Sequence, residues 1–420
     1  MPYVTALRHH IAKCRFRPDP TISSKQSWHV HDHAVNISLT RSSSSTLDEA
    51  NRKARKSYNI SGDPIKLPSK LLAIIPDPAH RGAIYVAESA ATVKRVQLDT
   101  REITHIYRGP SAPLTSLCLS TNGTKLYAGC WDKLIWSWDV ASCASTSRFQ
   151  GHTDFVKSVV CLRTRIGQEI LVSGGAEGDV LTWNPGTGQR LAVLRGQSHA
   201  IQDLVLDPLQ EDITLFTAFS DPGIMHFTIP DIANVRDLAF SSPISAHDTS
   251  VYKLCFDSDG DLWTASADKT AKHLVRADNW KADTTLIHPD FVRDVVVHER
   301  YGWVITACRD EGVRVWNLAT GELHHTFSGH FEEVTGLCLG ADKVVSISID
   351  ATIRQWSLNP KDLQIAKEEA ANPNQAAEDD KQKKKVDDQA ALTEEEEREL
   401  AELMENEERE LQDLMAADEQ

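Results

Sequence analysis

The chain has 420 residues, 41% of them hydrophobic, and a net charge of −15 from 60 acids against 45 bases. That apolar share suffices for one large core or two ordinary ones, and the acidic balance argues against nucleic-acid binding through bulk positive charge. Residues 361–420 alone hold 21 Asp/Glu and 8 Lys/Arg, so a near-neutral body carries an acidic tail.

Residues 1–32 read as an N-terminal arm. Its start carries Arg8, Lys13, Arg15 and Arg17 before any acid, and a basic arm is preferred to a mitochondrial presequence. His29, His31 and His33 share one face of an extended segment. That spacing suits zinc, but without a partnering Cys they are read as incidental and no metal is expected. Residues 33–41, "HAVNISLTR", form a candidate strand. Residues 42–66, opening "SSSSTLDEANRKARKS" after Arg41, read as a polar, basic loop suited to phosphorylation or import.

Between residues 67 and 360 the chain repeats itself. In "YAGCWDKLIWSWDV", residues 127–140, Asp132 lies six residues before Trp138; the offset recurs in Glu177/Trp183, Asp310/Trp316 and Asp350/Trp356. Asp221/Phe227 and Asp268/Leu274 are degenerate copies, and Ala90/Val96 keeps only the apolar position. The Trp-equivalent positions are spaced 42, 45, 44, 47, 42 and 40 residues apart, the period of a four-stranded propeller blade. A small or hydroxyl residue stands four before each acid in most copies, as in Ala128, Ser173, Thr264 and Thr306. Gly151-His152, Gly329-His330 and weaker versions of that pair precede a Val-like anchor.

Over about residues 70–358 these coincident offsets resemble the WD-repeat β-propeller family. The resemblance implies an all-β fold, a seven-bladed β-propeller of four-stranded blades spanning residues 67–360. It also implies a buried His, Ser/Thr, Asp and Trp tetrad in each blade. His330, Ser346, Asp350 and Trp356 match in full, and His288, Thr306, Asp310 and Trp316 match with Thr for Ser. Blades with Phe227, Leu274 or Val96 lack an indole donor and must rely on apolar packing. Closing the ring needs the last sheet completed from the other end of the chain, since an open edge invites aggregation. "SLNPKDLQIAKEEAANPNQ" after Trp356 makes a poor strand, so residues 33–41 are expected to close the ring, with residues 3–8 as the alternative.

Cys118, Cys255 and Cys338 occupy a repeated core position, and the eight cysteines, with no CxxC pair, read as free thiols in a reducing compartment. HExxH, GxSxG, the Walker loop and the Rossmann fingerprint are missing, so neither an enzyme nor a cofactor is expected. Partner binding is expected where the inner strands begin, at Phe155, Lys157, Phe291 and Arg293. Trp131 and Arg309, each just before a turn acid, are added because aromatic and Arg residues are enriched at hot spots.

Residues 361–391 read as a low-complexity charged linker, and residues 392–420 as an acidic amphipathic helix. "ERELAELM" returns as "ERELQDLM" after 11 residues, aligning Leu400, Leu403, Leu411 and Leu414 on one stripe, and Thr393 with Glu396 forms a capping box. Such a helix would fold into a partner's basic groove, in the manner of a coiled-coil stripe; the competing reading is a solvated acidic tail.

These features lead to a non-catalytic scaffold or accessory subunit binding other proteins or peptides, with no membrane span, in cytoplasm and nucleus. The alternatives are an accessory subunit in RNA processing, ribosome assembly or chromatin, and a ubiquitin-ligase substrate receptor. The second is disfavoured because no arginine follows the Trp-Asp pairs at the position some propeller receptors use.

Overall fold

Strands of four to eight residues, parted by turns rich in Gly, Asp and Ser, dominate the computed structural model, which describes residues 59–371 except 165–166, 196–198, 211 and 230–238. They assemble into seven four-stranded antiparallel sheets, the seven blades of a propeller. Blade two shows the pattern: Leu114–Leu119, Lys125–Cys130, Leu134–Asp139 and Ser145–Gln150 pair in that order. Its alternating side chains are apolar on both faces, because each face meets a neighbour. Leu126, Ala128, Trp136 and Trp138 join the core shared with Tyr85 and Tyr107 of blade one, while Tyr127, Ile135 and Phe149 join Val156 and Trp183 of blade three.

The last blade is built from both ends of the described chain. Val334–Leu339, Lys343–Ser348 and Thr352–Ser357 supply three strands, and the two-residue strand Ile65–Lys66 supplies the fourth, pairing Ile65 with Ile353 and Lys66 with Thr352. This corrects the expectation for residues 33–41: the outer position is held from the end of the segment read as a loop. Both 33–41 and 3–8 lie outside the described residues. A sequence pattern of period two cannot register in two residues, so the pairing leans on other contacts. Buried Arg354 donates to the carbonyls of Ser61 and Asn59 (3.0 Å to the latter), and Gln355 N–H donates to Gly62 O at 2.7 Å. Gly62 has φ +72° and crosses the Trp356 ring so closely that a Cβ would stand 2.7 Å from it; only glycine fits.

The tetrads are met unevenly. In blade seven His330 Nδ1 donates to Asp350 (3.0 Å), Nε2 accepts from Ser346 (2.7 Å), and Trp356 Nε1 donates to Ser346 Oγ (2.8 Å). Blade three builds the same set with Glu177 as the acid. In blade six His288 and Trp316 both reach Thr306, at 2.8 and 2.9 Å, but the expected link to Asp310 is missing. Arg314, four residues after the acid, takes both Asp310 oxygens, and His288 Nδ1 turns to Leu286 O at 3.1 Å. In blade seven the equivalent Arg354 is drawn to residues 59 and 61, which leaves Asp350 to the histidine. In blade two that position is Trp136, whose indole takes Asp132 at 2.8 Å, while Trp138 donates to Arg108 O.

Beyond Trp356 the structure revises the linker boundary. Pro360–Ala371 is an α-helix, with Pro360 in its first turn, where a missing N–H costs nothing. Asn359 Oδ1 accepts the Lys361 N–H at 3.0 Å, and Leu363 is fully buried against blades six and seven. The stripe of Leu400, Leu403, Leu411 and Leu414 lies outside the described residues. Among the described residues no helix is long and apolar enough to cross a membrane. Cys255 and Cys338 are each pushed up to about 12 by burial, which keeps the thiols protonated and unreactive.

Candidate partner-binding face

Every inner strand slips register after its first residue: in all seven blades two residues oppose one on the next strand. Such a bulge re-aims the side chain of the extra residue. The extra residues are Leu72, Thr115, Lys157, Gln202, Tyr252, Arg293 and Thr335, and all seven line a central cavity of about 600 Å³. Lys157 and Arg293 thus face the opening as expected. Phe155 and Phe291 do not line it, because the bulge breaks the alternation that would have put them on the same side; they sit on the rim.

On that rim Trp131 of blade two stacks on Phe155 of blade three, with ring centroids 5.1 Å apart and planes 16° from parallel. The two rings are 41% and 37% exposed, an apolar shelf spanning two blades, and Trp131 borders the cavity. Backbone bonds hold both ends: Trp131 N–H donates to Pro113 O at 3.0 Å, and Ala176 N–H to Phe155 O at 2.8 Å. Across the ring Arg309 covers Phe291 at 5.1 Å, with its Nε 4.0 Å from Asp290. The structure therefore pairs Trp131 with Phe155 and Arg309 with Phe291 on the rim, while Lys157 and Arg293 both face the cavity.

Most charges in the cavity are spent on joining blades. Ser158, Asp203 and Asp294 each accept a backbone N–H from the next blade, from Leu204 (3.2 Å), Leu254 (3.2 Å) and Leu337 (2.8 Å). Blade five has Lys253 at this position and no acceptor to offer, so the Val295 N–H is taken by the other oxygen of Asp294, at 2.8 Å. Lys253 pairs with Asp203 at 3.1 Å; Arg293 pairs with Glu333 at 2.6 Å and lies over Tyr252. Burial pushes the Asp294 carboxyl up to about 6. Lys157 is the exception: among the described residues it has no hydrogen bond or ion pair, and burial, with Arg293 nearby, weakens its hold on the proton. Tyr252, Lys253, Asp203 and Asp294 escaped the sequence reading, although they follow the repeated anchor at the same offsets as Lys157 and Ser158.

The profile described as WD domain, G-beta repeat matches residues 101–139, 238–273 and 281–317. An uncharacterized WD repeat-containing protein of Schizosaccharomyces pombe is 32% identical over 332 residues, 75% of this chain and 87% of the relative. The chain belongs to the WD-repeat family. The match at 281–317 begins on an outer strand and ends on the third strand of the next blade, so the WD repeat is staggered against the blade. That stagger is why an N-terminal strand must close the ring. Nuclear distribution protein PAC1 of Candida dubliniensis is 18% identical over 325 residues, 72% of this chain and 64% of its own length. Pre-mRNA-processing factor 19 of Mus musculus is 26% identical over 171 residues, 40% of this chain and 32% of its own. WD-repeat propellers generally serve as protein-interaction surfaces without catalysis of their own.

Proposed function

We propose that this WD-repeat protein is a non-catalytic scaffold that holds a partner protein at the cavity mouth beside blades two and three, in cytoplasm and nucleus. The observation that carries this reading is the unpartnered Lys157 next to the exposed Trp131–Phe155 stack. A partner segment presenting a carboxylate to Lys157 and an apolar side chain to the shelf would pair a cavity cation that has no ion pair among the described residues and cover the exposed Trp131 and Phe155 rings. Trp131→Ala combined with Lys157→Glu is expected to weaken capture of partner proteins at least about tenfold while the fold is kept. Arg309→Ala, across the ring and already stacked on Phe291, should do less. Equal capture by the double variant, measured against wild type with the same isolated partner, would overturn the assignment.

The tail is proposed as a second contact. Its four leucines would contribute about 1.5–3 kcal/mol each when buried, well short of the ordering cost of the helix at about 1–2 kcal/mol per residue. A peptide of residues 391–420 is therefore expected to gain helicity only with the partner present, and Leu403→Asp with Leu414→Asp to abolish binding. Undiminished binding by that double variant would reduce the tail to a solvated negative charge. The pre-mRNA processing in the name of one relative describes a setting where such a scaffold would serve. Direct nucleic-acid contact is no part of the proposal, because Arg293 and Lys253 are already neutralised by Glu333 and Asp203.

A further inference from the structure

We propose that blade five carries a divalent transition-metal site made by His273, Asp257 and Asp261, where the sequence led us to expect no metal. The turn "DSDGD", residues 257–261, joins Val251–Phe256 to Leu262–Ser266. Each of its two ligand carboxylates has one oxygen fixed by the backbone. Asp257 Oδ1 accepts the N–H groups of Asp259 (3.1 Å) and Asp261 (2.9 Å), and Asp261 Oδ1 accepts the Arg276 N–H (2.7 Å). The other oxygens converge on His273 Nε2, at 3.1 Å for Asp257 and 3.8 Å for Asp261. A tetrahedral ion about 2.0–2.1 Å from its ligands spaces them about 3.3 Å apart, so these separations bracket the requirement. All three donor atoms lie within 4.8 Å of one another.

The histidine is oriented as metal-bound histidines are. Its Nδ1 stands 2.8 Å from Asp283 Oδ1, and the Trp263 ring lies against it at 4.8 Å. Asp283 is the extra residue at the register shift opposite His273 and Leu274, so the bulge aims it there.

The repeat supplies an internal control. In blade one the positions equivalent to 257, 273 and 283 are Asp77, Arg95 and Thr104. Arg95 answers the acid with a permanent cation, at 2.8 Å from Asp77, and also donates to Thr104 at 2.9 Å. In blade two Ser137 and Thr146 share a hydrogen bond at 2.8 Å. Blade five instead sets one imidazole among three carboxylates, and Arg276 beside them spends its guanidinium on both oxygens of Asp207. Blade five thus meets its acid with an imidazole, a metal-ligating group, where blade one uses a guanidinium, which cannot ligate a metal. One nitrogen with carboxylate oxygens suits Zn2+ better than the all-oxygen preference of Mg2+ or Ca2+. The ion would pin the turn to the outer strands in a blade whose Trp position is Leu274.

The experiment uses the full chain with His29, His31 and His33 replaced by Ala, which removes the competing zinc-binding spacing. After EDTA treatment, calorimetric titration with ZnCl2 at neutral pH is expected to show one equivalent bound, lost in Asp261→Asn, which keeps the acceptor for Arg276 N–H. Asp283→Asn should weaken binding about 10–100-fold. Co2+ in place of Zn2+ should give a visible absorption band that His273→Gln removes, with circular dichroism checking that each variant folds. No zinc uptake, or the same stoichiometry and affinity in Asp261→Asn, overturns the proposal and leaves His273 as a hydrogen-bonded link between Asp257 and Asp283.

Discussion

Arg354→Ala is expected to lower the unfolding free energy by about 3 kcal/mol, one of the two largest effects foreseen for a single substitution here. The side chain is 1% exposed and donates to the carbonyls of Asn59 and Ser61, which are the incoming half of the closing contact. Truncation leaves two acceptors short of a donor and a void beside Trp356. It also loosens the hold on Ile65 and Leu67, whose buried side chains contribute roughly 1.5–3 kcal/mol each. Arg314→Ala is the control, since the same position in blade six only diverts Asp310 from His288. Urea denaturation reads both; a midpoint for Arg354→Ala within error of wild type would show that two paired residues suffice to close the ring.

Asp294→Asn is expected to stabilise the protein above pH 6, by up to about 3 kcal/mol, and to flatten its pH dependence between pH 4 and 6. Burial raises this carboxyl from the usual 3.8 to about 6, despite Lys253 nearby and the N–H groups of Leu337 and Val295. The folded state therefore holds a proton in that window that the unfolded state has released. The stability linked to it is complete below about pH 4 and is lost as pH rises through 6. Asparagine removes the charge but keeps only one of the two acceptors, so the N–H of Leu337 or Val295 loses its partner and the gain stays below that upper figure. His288 works in the opposite sense: burial and then the Arg314 charge lower it to about 4, so its contribution is present above pH 6.5 and lost as pH falls through 4. Comparing wild type and Asp294→Asn across this range isolates the carboxyl; parallel curves would refute the argument.

The blades were legible because the acid and Trp positions recur at a fixed offset, and buried turns and strands tolerate few substitutes at both at once. Closure was not, because Ile65–Lys66 is too short to show a period and Arg354 is defined by carbonyls some 293 residues away in sequence. The blade six tetrad misled for a related reason. Arg314 and Arg354 occupy one repeat position, and which acceptor each takes depends on the neighbour beside it. At the cavity mouth the register located Lys157 and Arg293, but strict alternation predicted Phe155 and Phe291 facing inward too. A one-residue bulge, invisible in composition, separates them.

Closure from both ends sets an order in time. Ile65 is synthesised long before Ile353, its partner 288 residues later. At about 5–20 residues per second the early strand waits roughly 15–60 s while six blades stack beside it. During translation the body is an arc, with the first blade's outer flank and the 59–66 segment open to whatever the ribosome exit meets. The ring is then completed by a loop closure spanning most of the chain, the slowest kind of contact to find.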